Sequence, residues 1–130
     1  MAWFVNYQKT DLVSVADRGF SYGDGVFETL LVENATIISS PTHRQRLIRA
    51  CRRLLIPFSL GDLDKAFEFI GNNVNPVGRH CVKLILTRGM GGRGYLPPSE
   101  PIVTLVIGFL TAPEYQIQAL AGVSITTSTV

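Results

Sequence analysis

Two amphipathic stretches stand back to back in this sequence, parted by little more than Pro57, with strand-like segments on either side. Ser39-Ser40-Pro41-Thr42 is a helix-start signal, a serine cap followed by proline in the first turn. From there Leu47, Ala50, Cys51 and Leu54 recur on one helical face, flanked by Ile48 and Leu55, until Pro57 stops the run. A second helix is predicted from about Leu60 to Gly71, with Leu63, Ala66, Phe67 and Ile70 facing inward. Helices grouped together between groups of strands point to an α+β domain. Two helices then cover one face of a largely antiparallel sheet.

The strands are read from alternation and from their bounding turns. Trp3–Val5 and Leu12–Val15 are predicted as short strands around a turn at residues 6–9. Val26–Val32 and Thr36–Ile38 read as a hairpin turning at Glu33-Asn34. His80–Arg88 places Val82, Leu84 and Leu86 on one face, and Ile102–Leu110 is a further strand. That last run is the longest apolar one, and it falls well short of the roughly 20 residues a membrane helix needs. Met1–Asn6 has neither a basic nor a long apolar stretch, so no signal peptide is read and a cytoplasmic chain is expected. Cys51 and Cys81 lie within apolar periodic segments and read as buried free thiols. A net charge of +2 singles out neither nucleic acid nor membrane as a partner.

Three segments carry possible chemistry. In Asp17–Gly25, three glycines surround two aspartates and two aromatics and feed the strand that runs on through Thr29; the stretch up to Gly25 reads as a loop, and its acidic spacing does not fit an EF-hand. In the first helix, Arg44, Arg46, Arg49, Arg52 and Arg53 fall within ten residues. Most of them point to solvent. Arg46 alone sits at the edge of the apolar arc, where a guanidinium can hold a phosphate or carboxylate. His43 lies within that arc and reads as a satisfied core histidine, packing or supporting a neighbouring site residue; no Cys–His spacing suits zinc, and no metal is expected. The third segment, Arg88–Tyr95, flanks two arginines and a tyrosine with glycines directly after a strand. It can bring Arg93 and backbone N–H groups to an anion, or it is a plain hairpin loop. Neither a Walker A loop nor a dinucleotide fingerprint is present, because no Gly-Lys-[Ser/Thr] and no helix follow.

In order along the chain, Arg18-Gly19-Phe20-x-Tyr22-Gly23-Asp24-Gly25-Val26-Phe27-Glu28-Thr29 and then His43-x-x-Arg46-Leu47 resemble the fold-type IV pyridoxal-phosphate enzymes. Within that family Arg88–Tyr95 resembles the aminodeoxychorismate-lyase branch more than the branched-chain or D-amino-acid aminotransferases. The resemblance implies pyridoxal 5'-phosphate as cofactor, with Arg46 on its phosphate. It implies Tyr22 and Phe27 lining the substrate side, and Arg93 and Tyr95 meeting the substrate, with Arg93 a carboxylate partner. The implied reaction releases pyruvate and forms 4-aminobenzoate, a step of folate biosynthesis, in a homodimeric enzyme.

The chemistry of such enzymes needs a reactive lysine. This sequence has Lys9, Lys65 and Lys83, and none matches the family's position. The resemblance implies that the reactive lysine lies in a C-terminal domain beyond Val130. No catalytic residue is therefore expected within these residues, and the chain alone is expected to be inactive and to bind the cofactor weakly or not at all. The reading is of a fragment: a small N-terminal domain over 1–112, a connector over 113–122, and the first strand of a larger domain over 123–130. A fragment of an aminotransferase and a non-catalytic binding or assembly domain are the alternatives.

Overall fold

The structure, a computed structural model, describes residues 1–114, 122 and 124–128. Its strands are β1 (Ala2–Val5), β2 (Gln8–Lys9), β3 (Gly25–Glu33), β4 (Thr36–Ile37), β5 (Arg79–Thr87) and β6 (Thr104–Thr111). Its helices are α1 (Arg18–Tyr22), α2 (Ser40–Leu54) and α3 (Leu60–Asn73). The strands form one sheet in the order β2-β1-β6-β5-β3-β4, and every pair is antiparallel. The α+β architecture expected from the helix-pair pattern is what forms.

Strand pleat decides which side chains meet the helices. Leu30 and Val32 of β3, Val82, Leu84 and Leu86 of β5, and Leu105 and Ile107 of β6 share one face. They pack into a single buried cluster with Leu47, Ile48 and Cys51 of α2 and with Leu63, Ala66, Phe67 and Ile70 of α3. The inward face predicted for α3 is the observed one. Burial on α2 follows the predicted face at Leu47 and Cys51 and its flank at Ile48, but Leu54 at the helix end is 43% exposed. The opposite sheet face carries Trp3, Phe27, Leu31, Lys83, Ile85, Val106 and Leu110 by the same register. There Trp3 lies against Gly108, where an added Cβ would come within 2.4 Å of the indole ring.

Several local expectations are corrected. Leu12–Val15 forms no strand; the partner of β1 is β2, reached through Asn6 and Tyr7, both with positive φ. A two-residue turn of that kind suits the twist of a hairpin. The β3–β4 turn is likewise Asn34-Ala35, one residue beyond its predicted position. Ser39 does not cap α2 with its hydroxyl, because its backbone is left-handed at φ 54°. Asp17–Gly25 is not simply a loop. Asp17 caps α1 by accepting from the Gly19 N–H at 2.8 Å, and Gly23 closes it at φ 66°. Cys51 is buried and Cys81 half-buried, and both thiols are free. The connector expected at 113–122 and the strand expected at 123–130 lie largely outside the described residues; 124–128 carry no regular structure. Val130, the residue beyond which the reactive lysine is expected, also lies outside the described residues.

A paired-charge cluster ties these parts together. Arg88, just past β5, donates from Nε to Asp24 at 2.8 Å and from Nη2 to the same carboxylate at 3.1 Å. Its remaining donors reach the carbonyls of Leu54 and Leu55 at 2.7 and 2.8 Å, at the end of α2 where the last carbonyls have no partner within the helix. Arg18 donates to Asp24 as well, at 2.7 Å. The hydrogen bond from Arg88 is the leading reason that the Asp24 carboxyl is held below its ordinary range; burial opposes it, and Arg18 adds to the lowering.

Leu84 has no exposure and Leu55 is 80% exposed. Replacing Leu84 with Ala is expected to cost about 2–5 kcal/mol, whereas Leu55→Ala stays within about 0.5 kcal/mol, as read by urea unfolding. Asp24 titrates lower folded than unfolded, so its stabilisation is complete above about pH 4, its unfolded value, and is lost as pH falls through the folded one. The melting temperature of Asp24→Asn should therefore lie below wild type at pH 6, and the gap should close towards pH 3.

Candidate functional site

The glycine loop after β5 is placed by backbone before any side chain acts. Arg18 N–H donates to the Gly89 carbonyl at 2.9 Å, and Gly91 N–H to the Ala16 carbonyl at 3.2 Å. Thr87 donates its hydroxyl to Asp17 at 3.0 Å and accepts from the Gly89 N–H at 2.9 Å. Gly89 has φ 84°, and a Cβ there would meet the Ile102 carbonyl oxygen at 1.7 Å, so only glycine fits. The first and third sequence segments thus form one structure.

Beyond that anchor the loop turns outward. Tyr95 is 85% exposed, and its ring lies 5.5 Å from that of Tyr22, tilted by 56°. The Arg18 guanidinium stands 4.9 Å over the Tyr22 ring. Arg93 is exposed on the same loop and has no recorded protein partner among the described residues. Phe27 is 64% exposed on the sheet face away from α2 and α3, with the Lys83 ammonium 5.3 Å above its ring.

One residue further along β3 the pleat turns Glu28 the other way, beneath α2. Its carboxylate is 3% exposed and takes both Arg46 and His43. Arg46 Nε donates to Oε1 at 2.6 Å, Arg46 Nη2 binds Oε2, and His43 Nδ1 lies 2.8 Å from Oε2. Burial pushes the Glu28 carboxyl up, yet the Arg46 and His43 hydrogen bonds and charges together outweigh it and hold the group low. A buried carboxylate held ionised fixes a guanidinium whose side chain remains 57% exposed. Arg46 Nη1 has no recorded protein acceptor among the described residues. The arrangement is a braced cation able to take an incoming anion.

The sequence reading puts Arg46 at the edge of the α2 face, and there it lies. The same reading leaves His43 either to pack or to support a neighbouring site residue, and in the structure it meets the Glu28 carboxylate that Arg46 also holds. The structure brings Tyr22 and Tyr95 into contact. Arg46 braces on Glu28 on the helix side of the sheet, while Phe27 lies on the other side. Asp17, Arg18, Glu28 and Arg88, all buried, and the partly buried Asp24 have no role assigned from the sequence. Acids and bases interleaved within glycine-rich segments are the signal that they pair with one another. Among the described residues no group of three or more His, Cys, Asp and Glu side chains is arranged to hold a metal ion, and no helix is long and apolar enough to cross a membrane.

Known proteins are similar to this chain in sequence and fold. Residues 25–130 match the amino-transferase class IV family model. The aminodeoxychorismate lyase of Vibrio harveyi is 30% identical over 107 residues, 81% of this chain and 38% of the relative. A D-alanine aminotransferase of Listeria monocytogenes is 33% identical over 93 residues, 68% of this chain and 31% of the relative. The crystal structure of 4-amino-4-deoxychorismate lyase from Pseudomonas aeruginosa superposes with a TM-score of 0.79 at 37% identity, over 88% of this chain and 41% of that one. The branched-chain aminotransferase of Escherichia coli, at TM-score 0.72 and 20% identity over 85% and 41%, shares the fold. The chain therefore spans about two fifths of the length of the lyases it matches, and over that span it belongs to the amino-transferase class IV family.

Proposed function

We propose that this chain forms the anion-holding and substrate-facing part of a pyridoxal-phosphate-dependent lyase that converts 4-amino-4-deoxychorismate to 4-aminobenzoate and pyruvate in folate biosynthesis. The observation that carries the reading is Arg46, fixed by the buried Glu28 carboxylate with donor capacity left over. That donor set fits the phosphate of the cofactor, since a planar guanidinium binds phosphate oxygens in pairs. Bound there, pyridoxal phosphate supplies an electron sink for the carbon that bears the substrate nitrogen.

The chain's own residues bind and orient. Arg46 holds the phosphate, and Glu28 and His43 keep its guanidinium in place. Tyr22 and Phe27 line the substrate side, Tyr95 extends that wall, and Arg93 pairs with one of the two carboxylates of aminodeoxychorismate. The Arg88–Tyr95 loop and the 37% identity to the Pseudomonas aeruginosa enzyme favour the lyase over amino transfer. No lysine of this chain takes the proton-carrying role in this reading, which assigns it to a lysine beyond Val130. Lys9 is exposed on β2, Lys65 lies 4.7 Å over the Tyr7 ring, and Lys83 sits over Phe27. We place the domain division at 112, a cytoplasmic location, and a homodimer that covers the open sheet face.

With the full translation product of the gene, aminodeoxychorismate should yield pyruvate and 4-aminobenzoate in equal amounts. Amino transfer to 2-oxo acids without pyruvate would instead establish an aminotransferase, the activity named for the Listeria monocytogenes relative. Arg46→Met should weaken cofactor binding by roughly 10- to 150-fold, the equivalent of about 1.5–3 kcal/mol for a charged hydrogen bond, as measured by absorbance titration. When the 130-residue chain is mixed with pyridoxal phosphate, reduced with borohydride and mapped by mass spectrometry, it should show no specific modification of Lys9, Lys65 or Lys83. Stoichiometric labelling of Lys83 would overturn that part of the reading.

A further inference from the structure

We infer that Arg18 is the positioning residue for the substrate-facing loop: its buried guanidinium, threaded beneath Gly91, holds the loop backbone that carries Arg93 and Tyr95. The role of that loop in binding substrate rests on the function proposed above; the control of the loop by Arg18 does not.

Arg18 is 4% exposed, yet only one of its partners is anionic. Nε donates to Asp24 at 2.7 Å. The other two nitrogens serve the loop. Nη2 donates to the Tyr95 carbonyl at 2.8 Å, and Nη1 is shared between the carbonyls of Gly94 and Leu96, at 3.4 and 3.3 Å. A buried cation commits its donors to whatever acceptors surround it, because leaving them bare is costly. Here those acceptors are three consecutive carbonyls of a segment that is otherwise exposed. Among the described residues, the hydrogen bonds recorded to 94–96 all come from this one side chain.

The path of the side chain is enforced from both sides. A Cβ on Gly91 would lie 2.8 Å from both Cγ and Cδ of Arg18, so the glycine leaves the channel through which the arginine passes. On the far side the guanidinium faces the Tyr22 ring at 4.9 Å, and Tyr22 in turn meets Tyr95 at 5.5 Å. The two tyrosines are thus joined twice, by ring contact and through Arg18. Asp24, shared with Arg88, fixes the root of the guanidinium. A lysine cannot substitute here. Its single ammonium has no second and third nitrogen to bridge Asp24 and three carbonyls at once.

The test uses the full translation product and the variants Arg18→Lys and Gly91→Ala, the second acting by crowding Arg18 out of its channel. Hydrogen exchange at 92–96 and tryptic cleavage after Arg93 report the loop; exchange in β5 and β6 reports the core. In both variants, loop exchange and cleavage after Arg93 should accelerate by about tenfold or more while β5 and β6 keep their protection, the pattern of local rather than global opening. KM for aminodeoxychorismate should rise by about tenfold with kcat changed far less, as loss of a binding contact requires. Unchanged loop exchange in Arg18→Lys overturns the inference, and so does equal loss of protection in loop and core in both variants. If Arg18→Lys does not fold, Gly91→Ala decides by the same readouts. If wild type releases no pyruvate, the lyase reading fails while loop exchange still decides the role of Arg18.

Discussion

One carboxylate, that of Asp24, is shared by two buried guanidiniums, and the placement of the site descends from it. Arg18 and Arg88 come from distant parts of the chain, and each spends its remaining donors on backbone carbonyls. One set belongs to the loop of Tyr95 and the other to the end of α2. The Asp24 charge therefore links the segment around α1, the end of β5, the loop of Tyr95 and the helix that bears Arg46. Removing Asp24 would leave two buried guanidiniums without their shared anion, whereas Arg88 keeps that anion and the end of α2 without help from Arg18. Asp17 and Thr87 add a second tie at the same corner, from the N-cap of α1 to the end of β5.

Strand pleat then distributes roles along β3. Phe27 and Glu28 are neighbours in sequence, but one faces the open side of the sheet and the other lies beneath α2. Arg46 is braced on the packed side, where its guanidinium and His43 hold Glu28 ionised against burial. On the open side Lys83 and Phe27 meet. Because Phe27 and Glu28 stand on one strand, the distance between these two contacts is set by nine paired residues of β3 and β5 rather than by a loop.

Much of this was legible because it depends on periodicity. The α3 face of Leu63, Ala66, Phe67 and Ile70, and the strand face of Val82, Leu84 and Leu86, follow directly from their spacing. The misreadings have local physical causes. Leu12–Val15 alternates like a strand but finds no partner, since Asn6 and Tyr7 turn the chain back sooner. α1 spans only five residues and contains a glycine, so no apolar period marks it; its signals were the Asp17 cap and the left-handed Gly23. Leu54 leaves the core because it is the last residue of α2, just before the left-handed Leu55, an end effect that a helical wheel does not contain. The buried arginines were hardest to see. Hydropathy counts Arg18 and Arg88 as surface residues, and only their pairing with Asp24 reverses that. The resemblance carried by Arg18–Thr29 and His43–Leu47 nevertheless agrees with the family match over residues 25–130.

The two thiols have contrasting fates. Cys51 is sealed beneath α2, and burial pushes its thiol up to about 11, which leaves it almost without thiolate at neutral pH. Cys81 lies on the open sheet face beside Leu31 and Leu110, half-buried and free. The molecule thereby carries a built-in attachment point for a thiol-directed probe, one that needs no engineered cysteine and no removal of a competing one. A dye placed there stands on the sheet face opposite α2 and α3, so its accessibility reports whatever comes to cover that face, residue by residue rather than by mass.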